Sequence, residues 1–296
     1  MSITSSLPCR VAIVSLTRQP VDFSVWVDYH LRVVGVDCFF VQVEDTPSLE
    51  TEYADHPRVH VYPYRRDHRN DDGNQYVDLQ RRQVVFIQRV LEDARSMGID
   101  YLLHIDDDEL LHVSPRFQHR VAELVEGLGL EARPETDIHF QNVEAVYDDS
   151  RGDDDGGRCF RATTFVDCRK GMCRSYANGK SMGRVSNRRV RPHGPHHFSG
   201  ATFHVPRDDA CILHFDSCTV HRWRAKFQNL AEKTSPEDTI KIPFPYYRES
   251  IEAVRGGCPD CGDEVWRDWT TASSRRHPEG TRLSIPHPGS TMMPGV

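Results

Sequence analysis

The feature that most constrains this chain is an alternation. From Arg10 onward, short apolar runs take turns with stretches whose apolar residues recur at helical spacing, the pattern of a sheet wound by crossover helices. "VAIVSL", from Val11, reads as a first buried strand. The segment Ser24 to Val34 puts Trp26, Tyr29 or His30, and Val33 on one helical face and stops at Gly35, a residue suited to a left-handed cap. "DCFFVQV" is a second strand ending in Glu44 and Asp45, and "RVHVYPY" is a short third. A helix is then expected over Leu79 to Met97, with Val84, Ile87, Leu91 and Ala94 on one face and Gly98 closing it. "DYLLHI" follows as a strand. Ser114 and Pro115 read as the N-cap and first turn of a helix ending near Gly129.

The middle is richer in strands: "DIHFQNVEAVY", "CFRATTFVDC" and "GKSMGRV", separated by "DDSRGDDDGGR", which is too acidic and glycine-rich to pack. "ACILHFD" is a late strand, and Val220, Trp223, Phe227 and Leu230 line one face of the helix after it. From about Thr270 to Val296 no periodic face survives and disorder is expected. At 296 residues and 38% hydrophobic composition, one domain over 1–269 can bury its own core, with halves at 1–113 and 114–269. The longest apolar runs, Val11 to Leu16 and Val36 to Val43, are far short of the ~20 residues of a membrane helix, and no leader-like pattern opens the chain, so no membrane insertion by this chain is expected.

A net charge of -7 argues against a nucleic-acid partner, although "GRVSNRRVRPHG" is basic enough to grip a phosphate or a sugar. Nine cysteines without framework spacing leave at least one thiol free or paired between chains, and a reducing, cytoplasmic setting is the simpler expectation. Cys258 and Cys261 have knuckle-like spacing. A zinc site there would have to be closed by Cys168 and Cys173, and unpaired thiols or a late disulfide compete with it.

The stretch "YLLHIDDDELLHV", Tyr101 to Val113, sends an apolar strand straight into four acids. If the extended backbone continues, Asp106 and Asp108 point the same way and Asp107 the other. Two converging carboxylates repel by between ~1 kcal/mol in water and ~4 kcal/mol at a protein surface, so a divalent cation is the natural resolution, and oxygen ligands select Mg²⁺ or Mn²⁺. A wound sheet gathers ligands at the carboxyl ends of its strands, where this cluster falls. A solvated acidic turn is the plainer alternative.

At this point the sequence resembles the GT-A glycosyltransferases, in particular the family-2-like and family-92-like group with "DxDE" after a hydrophobic strand. The likeness runs from about Val11 to Trp269 through ordered blocks: "VAIVSL", "WVDYHLRVVGVD", "LLHIDDDELL", "NVEAVY", "YANGKSMGRV", "GPHHFSG", "ILHFDS", "WRAKF" and "PYYRES". It implies a single α/β domain with a Rossmann-like, mostly parallel mixed sheet flanked by helices. The implied reaction moves a hexosyl or pentosyl unit from a nucleotide sugar, a UDP-sugar first, to a hydroxyl acceptor such as a glycan. Asp106 and Asp108 match the metal and donor-ribose positions, His214 the third metal contact for Mn²⁺ or Mg²⁺, and Asp107 lies within the same donor site. Glu44 and Asp45 match acids that read the base or ribose, with Thr17 and Arg18 as weaker members of that pocket. His196, in "GPH", matches a histidine that closes over donor or acceptor. Many members of the group act in the secretory pathway, which keeps that location open.

"NGKS" invites comparison with a phosphate loop, but Arg174 stands where the Walker pattern needs glycine. Asn178-Gly179 reads better as a tight hairpin turn delivering Lys180 to the next strand, where the resemblance turns it toward the cleft and a solvent-exposed lysine is the alternative. An inverting transfer needs a carboxylate to take the acceptor's proton. Glu144, in "NVEA" with Asn142 on the same strand face, and Asp216 compete for that role, and a retaining enzyme would need neither. Two further readings stand beside the transferase: a metal-dependent phosphoesterase, and a catalytically silent sugar- or protein-binding module on the same fold.

Overall fold

The structure, a computed structural model, describes residues 8–65, 75–147, 159–161, 164–167, 176–242, 244–256, 264–266 and 281–282. Strand β1 (Val11–Thr17) is buried throughout and pairs in parallel with β2 (Cys38–Glu44), which pairs in parallel with β3 (Val59–Tyr64). Between β1 and β2 runs helix α1 (Phe23–Tyr29), continued by a wider turn over His30–Val34 and ended at Gly35, whose φ of 77° fills the expected left-handed cap. Helix α2 (Pro47–Glu52) follows β2, and α3 (Gln75–Ser96) leads to β4 (Tyr101–His104), which returns beside β1.

Alternation along β1 divides two cores. Val11 and Ile13 face a layer containing Trp26, Phe39 and Val41, while Ala12 and Val14 face Ile87, Val90, Leu91 and Ala94 of α3. Both faces are covered, which is why these strands read as unbroken apolar runs.

The chain then changes sheets. Strand β5 (Glu109–Val113) belongs to a second sheet, so the acidic stretch is a turn, with Glu109 N donating to Asp106 O at 3.2 Å. The extended path expected through Asp106 to Asp108 is therefore replaced by a reversal. The helix expected over 114–129 is also broken: a short 3₁₀ turn (Pro115–Phe117) precedes Gln118 and His119, both at positive φ, and only then does α4 (Val121–Gly127) begin. Two consecutive left-handed residues cannot continue a right-handed helix.

"DIHFQNVEAVY" likewise splits, into β6 (Asp137–Phe140) in the first sheet and β7 (Asn142–Val146) in the second. Strand β8 (Thr164–Asp167) pairs with β7, and β9 (Lys180–Arg184) inserts antiparallel between β4 and β6. A small ribbon, β10 (Pro192–His193) with β11 (His197–Phe198), precedes β12 (Thr202–His204) and β13 (Ala210–His214). The first sheet has the order β3-β2-β1-β4-β9-β6-β12, with β9 alone running against the rest. Strand β14 (Thr281–Arg282) pairs with β8 inside the stretch expected to lack structure, and completes the second sheet, β14-β8-β7-β13-β5.

Helices α5 (Val220–Lys233), α6 (Pro236–Lys241) and α7 (Pro245–Arg255) enclose a third core of Trp223, Phe227, Ile242, Tyr246 and Ile251. Thr219 and Ser235 cap α5 and α6 through the amides of Arg222 and Asp238. A disulfide joins Cys159 to Cys218 across 59 residues, while Cys9, Cys38 and Cys211 are free. The odd count without framework spacing did not reveal that pair. Cys168, Cys173, Cys258, Cys261 and the loop at 153–157 lie outside the described residues. Among the described residues no helix is long and apolar enough to cross a membrane.

Candidate functional site

The two sheets meet where the chain passes from β4 to β5 and from β6 to β7. Because β9 is antiparallel, its first residue reaches the carboxyl ends of β4 and β6, and that residue is Lys180. The side chain is 1% exposed, with Nζ 2.5 Å from Asp106 Oδ2 and 3.3 Å from Glu109 Oε2. It is thus no surface turn lysine. No hairpin strand precedes it among the described residues. Asn142 seats the approach instead, its Nδ2 donating to Tyr176 O at 2.7 Å and its Oδ1 accepting from Gly179 N at 3.1 Å.

Glu109 explains why an acid opens an otherwise apolar strand. Fully buried, it accepts from the amide of Asp106 at 2.7 Å, while its own amide donates to Asp106 O, so the turn is clamped from both sides. Gln83, on α3, donates to Asp106 Oδ1 at 2.7 Å. Asp107 accepts from the Thr17 hydroxyl, and Asp108 Oδ2 lies 3.7 Å from His214 Nε2. The Asp106 and Asp108 side chains are 32% and 37% exposed and Asp107 is half-buried, whereas Glu109, Glu144 and Asp216 are buried.

On the second sheet, β5, β13 and β7 place Glu109, His214 and Glu144 in one register row. His214 Nδ1 is 3.6 Å from Glu144 Oε1, and the ring packs against Tyr176 at 5.0 Å, which also meets His196 at 5.0 Å. His196 Nδ1 donates to Gly179 O, 2.7 Å away, on the lysine's own approach. Asp216 is buried and bound by Lys226 Nζ at 2.6 Å, Ser217 Oγ at 2.8 Å and Tyr247 OH at 3.2 Å. The helical layer thereby brings a second lysine to the site.

Charge follows from these contacts. Burial would raise the Asp106 carboxyl, but the Lys180 ammonium holds it well below the usual carboxylate range. Burial, reinforced by the charge of Asp108, pushes Asp107 up to about 7. Burial likewise lifts Glu109 to about 8 against the pull of Lys180. His214 is buried, which disfavours its charged form, yet Asp108 and Glu144 hold its pKa well above the ordinary value. Burial and the nearby Lys180 keep His196 neutral down to about 4.

The expected site residues therefore divide. Asp106, Asp107, Asp108, Lys180, His196, His214 and Thr17 come together, and Glu144 stands behind His214. Glu44 is buried and gripped by Arg82 through Nε at 2.8 Å and Nη2 at 3.2 Å, with Asp78 on the same guanidinium. Asp45, at φ 48°, and Arg18 are half-buried at the ends of β2 and β1. Glu109, Gln83, Tyr176, Lys226 and Tyr247 were given no role in the sequence reading. Only Glu109 carries a local signal, as a charged residue heading a strand that is otherwise apolar but for His112.

The chain is similar to two Arabidopsis thaliana proteins named glycosyltransferase-like. One is 23% identical over 245 residues, covering 70% of this chain and 53% of that protein. The other is 21% identical over 250 residues, covering 71% and 48%. The chain thus spans about half the length of these curated relatives. No family model matches. Among solved structures, a CMP:2-keto-3-deoxy-manno-octonic acid synthetase complexed with CTP aligns with a TM-score of 0.27 at 15% identity, covering 45% of this chain and 53% of that one. A cytidylyltransferase from Leptospira borgpetersenii serovar Hardjo-bovis aligns at 0.28 and 12%, covering 60% and 61%. Both likenesses are too slight to argue from.

Proposed function

We propose that this chain is a metal-assisted glycosyltransferase on a GT-A-type framework. It would move a hexosyl or pentosyl unit from a nucleotide sugar, a UDP-sugar first, to a hydroxyl acceptor, a glycan first. One observation carries the reading: the junction turn presents two open carboxylates, Asp106 backed by a buried lysine and Asp108 by an imidazole. The relatives named glycosyltransferase-like support it.

The donor set suits Mn²⁺ or Mg²⁺, since Asp108 and His214 offer oxygen and nitrogen, with Asp106 beside them. Among the described residues no three His, Cys, Asp or Glu side chains gather as a self-sufficient metal site. Phosphate oxygens and water would have to complete the coordination. An ion so held would supply charge neutralisation for a departing diphosphate. Lys180 fixes the Asp106 carboxylate in its ionised state, and Thr17 orients Asp107. For the acceptor's proton, Glu144 and Asp216 remain the candidates in an inverting reaction. Each is buried against a cation, His214 and Lys226 respectively, so acceptor binding would have to open a path to one of them.

A two-metal phosphoesterase fits less well, because it needs more scattered Asp and His ligands than the pair gathered here. The silent module is separated by Asp108→Asn, which leaves such a module's binding intact and removes transfer. The Cys159–Cys218 disulfide favours the secretory pathway over the cytoplasm. The test is calorimetry with UDP and Mn²⁺ together, followed by a screen for slow hydrolysis of nucleotide sugars. The expected result is UDP binding that needs Mn²⁺ and one preferred donor. No heat, no thermal stabilisation and no donor hydrolysis would end the proposal.

A further inference from the structure

We infer that Glu144 is a positioning residue for His214, one that fixes which imidazole nitrogen faces the cleft. The inference rests on the reading above, in which Asp108 and His214 take a divalent ion.

The register supplies the geometry. His214 pairs with Glu109 on one side and Glu144 on the other, so the three side chains leave the same face of the second sheet as neighbours. Glu109 gives its Oε2 to the Asp106 amide and Lys180, and its Oε1 makes no hydrogen bond to His214. Glu144 is the acid beside Nδ1, at 3.6 Å, while Asp108 is beside Nε2, at 3.7 Å. The ring therefore stands between the two carboxylates, and Tyr176 packs on it.

A carboxylate accepts hydrogen bonds and donates none, so beside Nδ1 it selects the form of the ring with the proton on Nδ1. That leaves Nε2 on the Asp108 side as the nitrogen whose proton a bound ion would displace. Metal-binding histidines commonly have their second nitrogen fixed by a carboxylate in this way, and loss of that partner weakens metal affinity 10–100-fold. Glu144 is 1% exposed, and the imidazole lies between it and the carboxylate that opens to solvent. A base for an acceptor hydroxyl would sit the other way round.

The experiment measures Mn²⁺ affinity in the presence of saturating UDP, from the free-ion electron paramagnetic resonance signal, for wild type, Glu144→Gln and Glu144→Leu. Melting temperature is recorded for each. Expected are losses of about 10-fold for Glu144→Gln, whose amide oxygen still accepts from Nδ1, and nearer 100-fold for Glu144→Leu. Because the near-isosteric Glu144→Gln preserves shape, a folding failure of the leucine variant leaves the test intact. If Glu144→Gln binds Mn²⁺ as wild type does while transfer or donor hydrolysis collapses, Glu144 is an acceptor base and the inference is overturned. Wild type that binds no Mn²⁺ with UDP would overturn the parent reading instead.

Discussion

At the residue scale, the centre of the site is a buried lysine with acidic neighbours in the junction turn, Asp106, and on β5, Glu109. Removing one partner of a buried pair strands the other charge away from water, which costs more than the pair contributes. Lys180→Met leaves the Asp106 carboxylate, which the ammonium holds ionised, without its cation and is expected to destabilise the fold by about 3 kcal/mol. Urea unfolding reads this directly, and a loss under about 1 kcal/mol, as for an exposed pair, would show that Lys180 is not enclosed. The sequence displayed Lys180 and the aspartates because each stands in a short, recognisable block. It could not display Gln83 or Lys226, since single polar residues on amphipathic helices look like solvated surface until tertiary packing gives them a partner.

At the element scale, the strands of the first sheet were legible because burial on both faces leaves unbroken apolar runs. The changes of sheet were not. "DIHFQNVEAVY" carries no breaker, yet it divides at Gln141, because which sheet a strand joins is set by partners distant in sequence. Gly179 shows how finely such a junction is built. Its φ is 63°, and a Cβ there would stand 2.1 Å from the carbonyl oxygen of Phe140, backbone that β9 itself pairs with. Gly179→Ala therefore combines a left-handed penalty of about 1–2 kcal/mol with a clash that cannot relax without moving Lys180. Lost UDP binding with Mn²⁺ and a lower melting temperature are expected together; an unchanged melting temperature would contradict this packing. The disulfide supplies a second test. Closing a loop of 59 residues is worth up to about 4 kcal/mol in the chain-entropy account, so Cys159→Ser with Cys218→Ser should lower stability by a comparable amount. A variant as stable as the oxidised wild type would mean that the bond does not form.

At the scale of the whole molecule, α1 is tied to the second sheet by a histidine that the fold keeps neutral. His30, at the end of α1, hydrogen-bonds Trp26 O through Nδ1 at 2.9 Å and accepts from Leu111 N, on the second sheet, through Nε2 at 3.1 Å. Every nitrogen is used only if Nε2 is unprotonated. Burial lowers its pKa to about 3. Burial, helped by neighbouring histidines, lowers His112 and His139 to about 4. In the unfolded chain these groups take up protons near 6.5. Between that value and about 4 the unfolded state therefore holds more protons than the native one, and stability falls as pH falls. Each such histidine contributes a slope approaching about 1.4 kcal/mol per pH unit once pH is well below 6.5. Urea midpoints taken from pH 6 down to 5 should decline, because the lowered His30, His104, His112, His139 and His196 outnumber the raised Asp107 and Glu109, whose native protonation acts in the opposite direction. His30→Gln, whose amide can both donate to Trp26 O and accept from Leu111 N, should make that decline shallower by one histidine's share. An equal slope in the variant would mean that His30 exchanges its proton freely in the native state, and that the bridge between α1 and the second sheet is not closed as described.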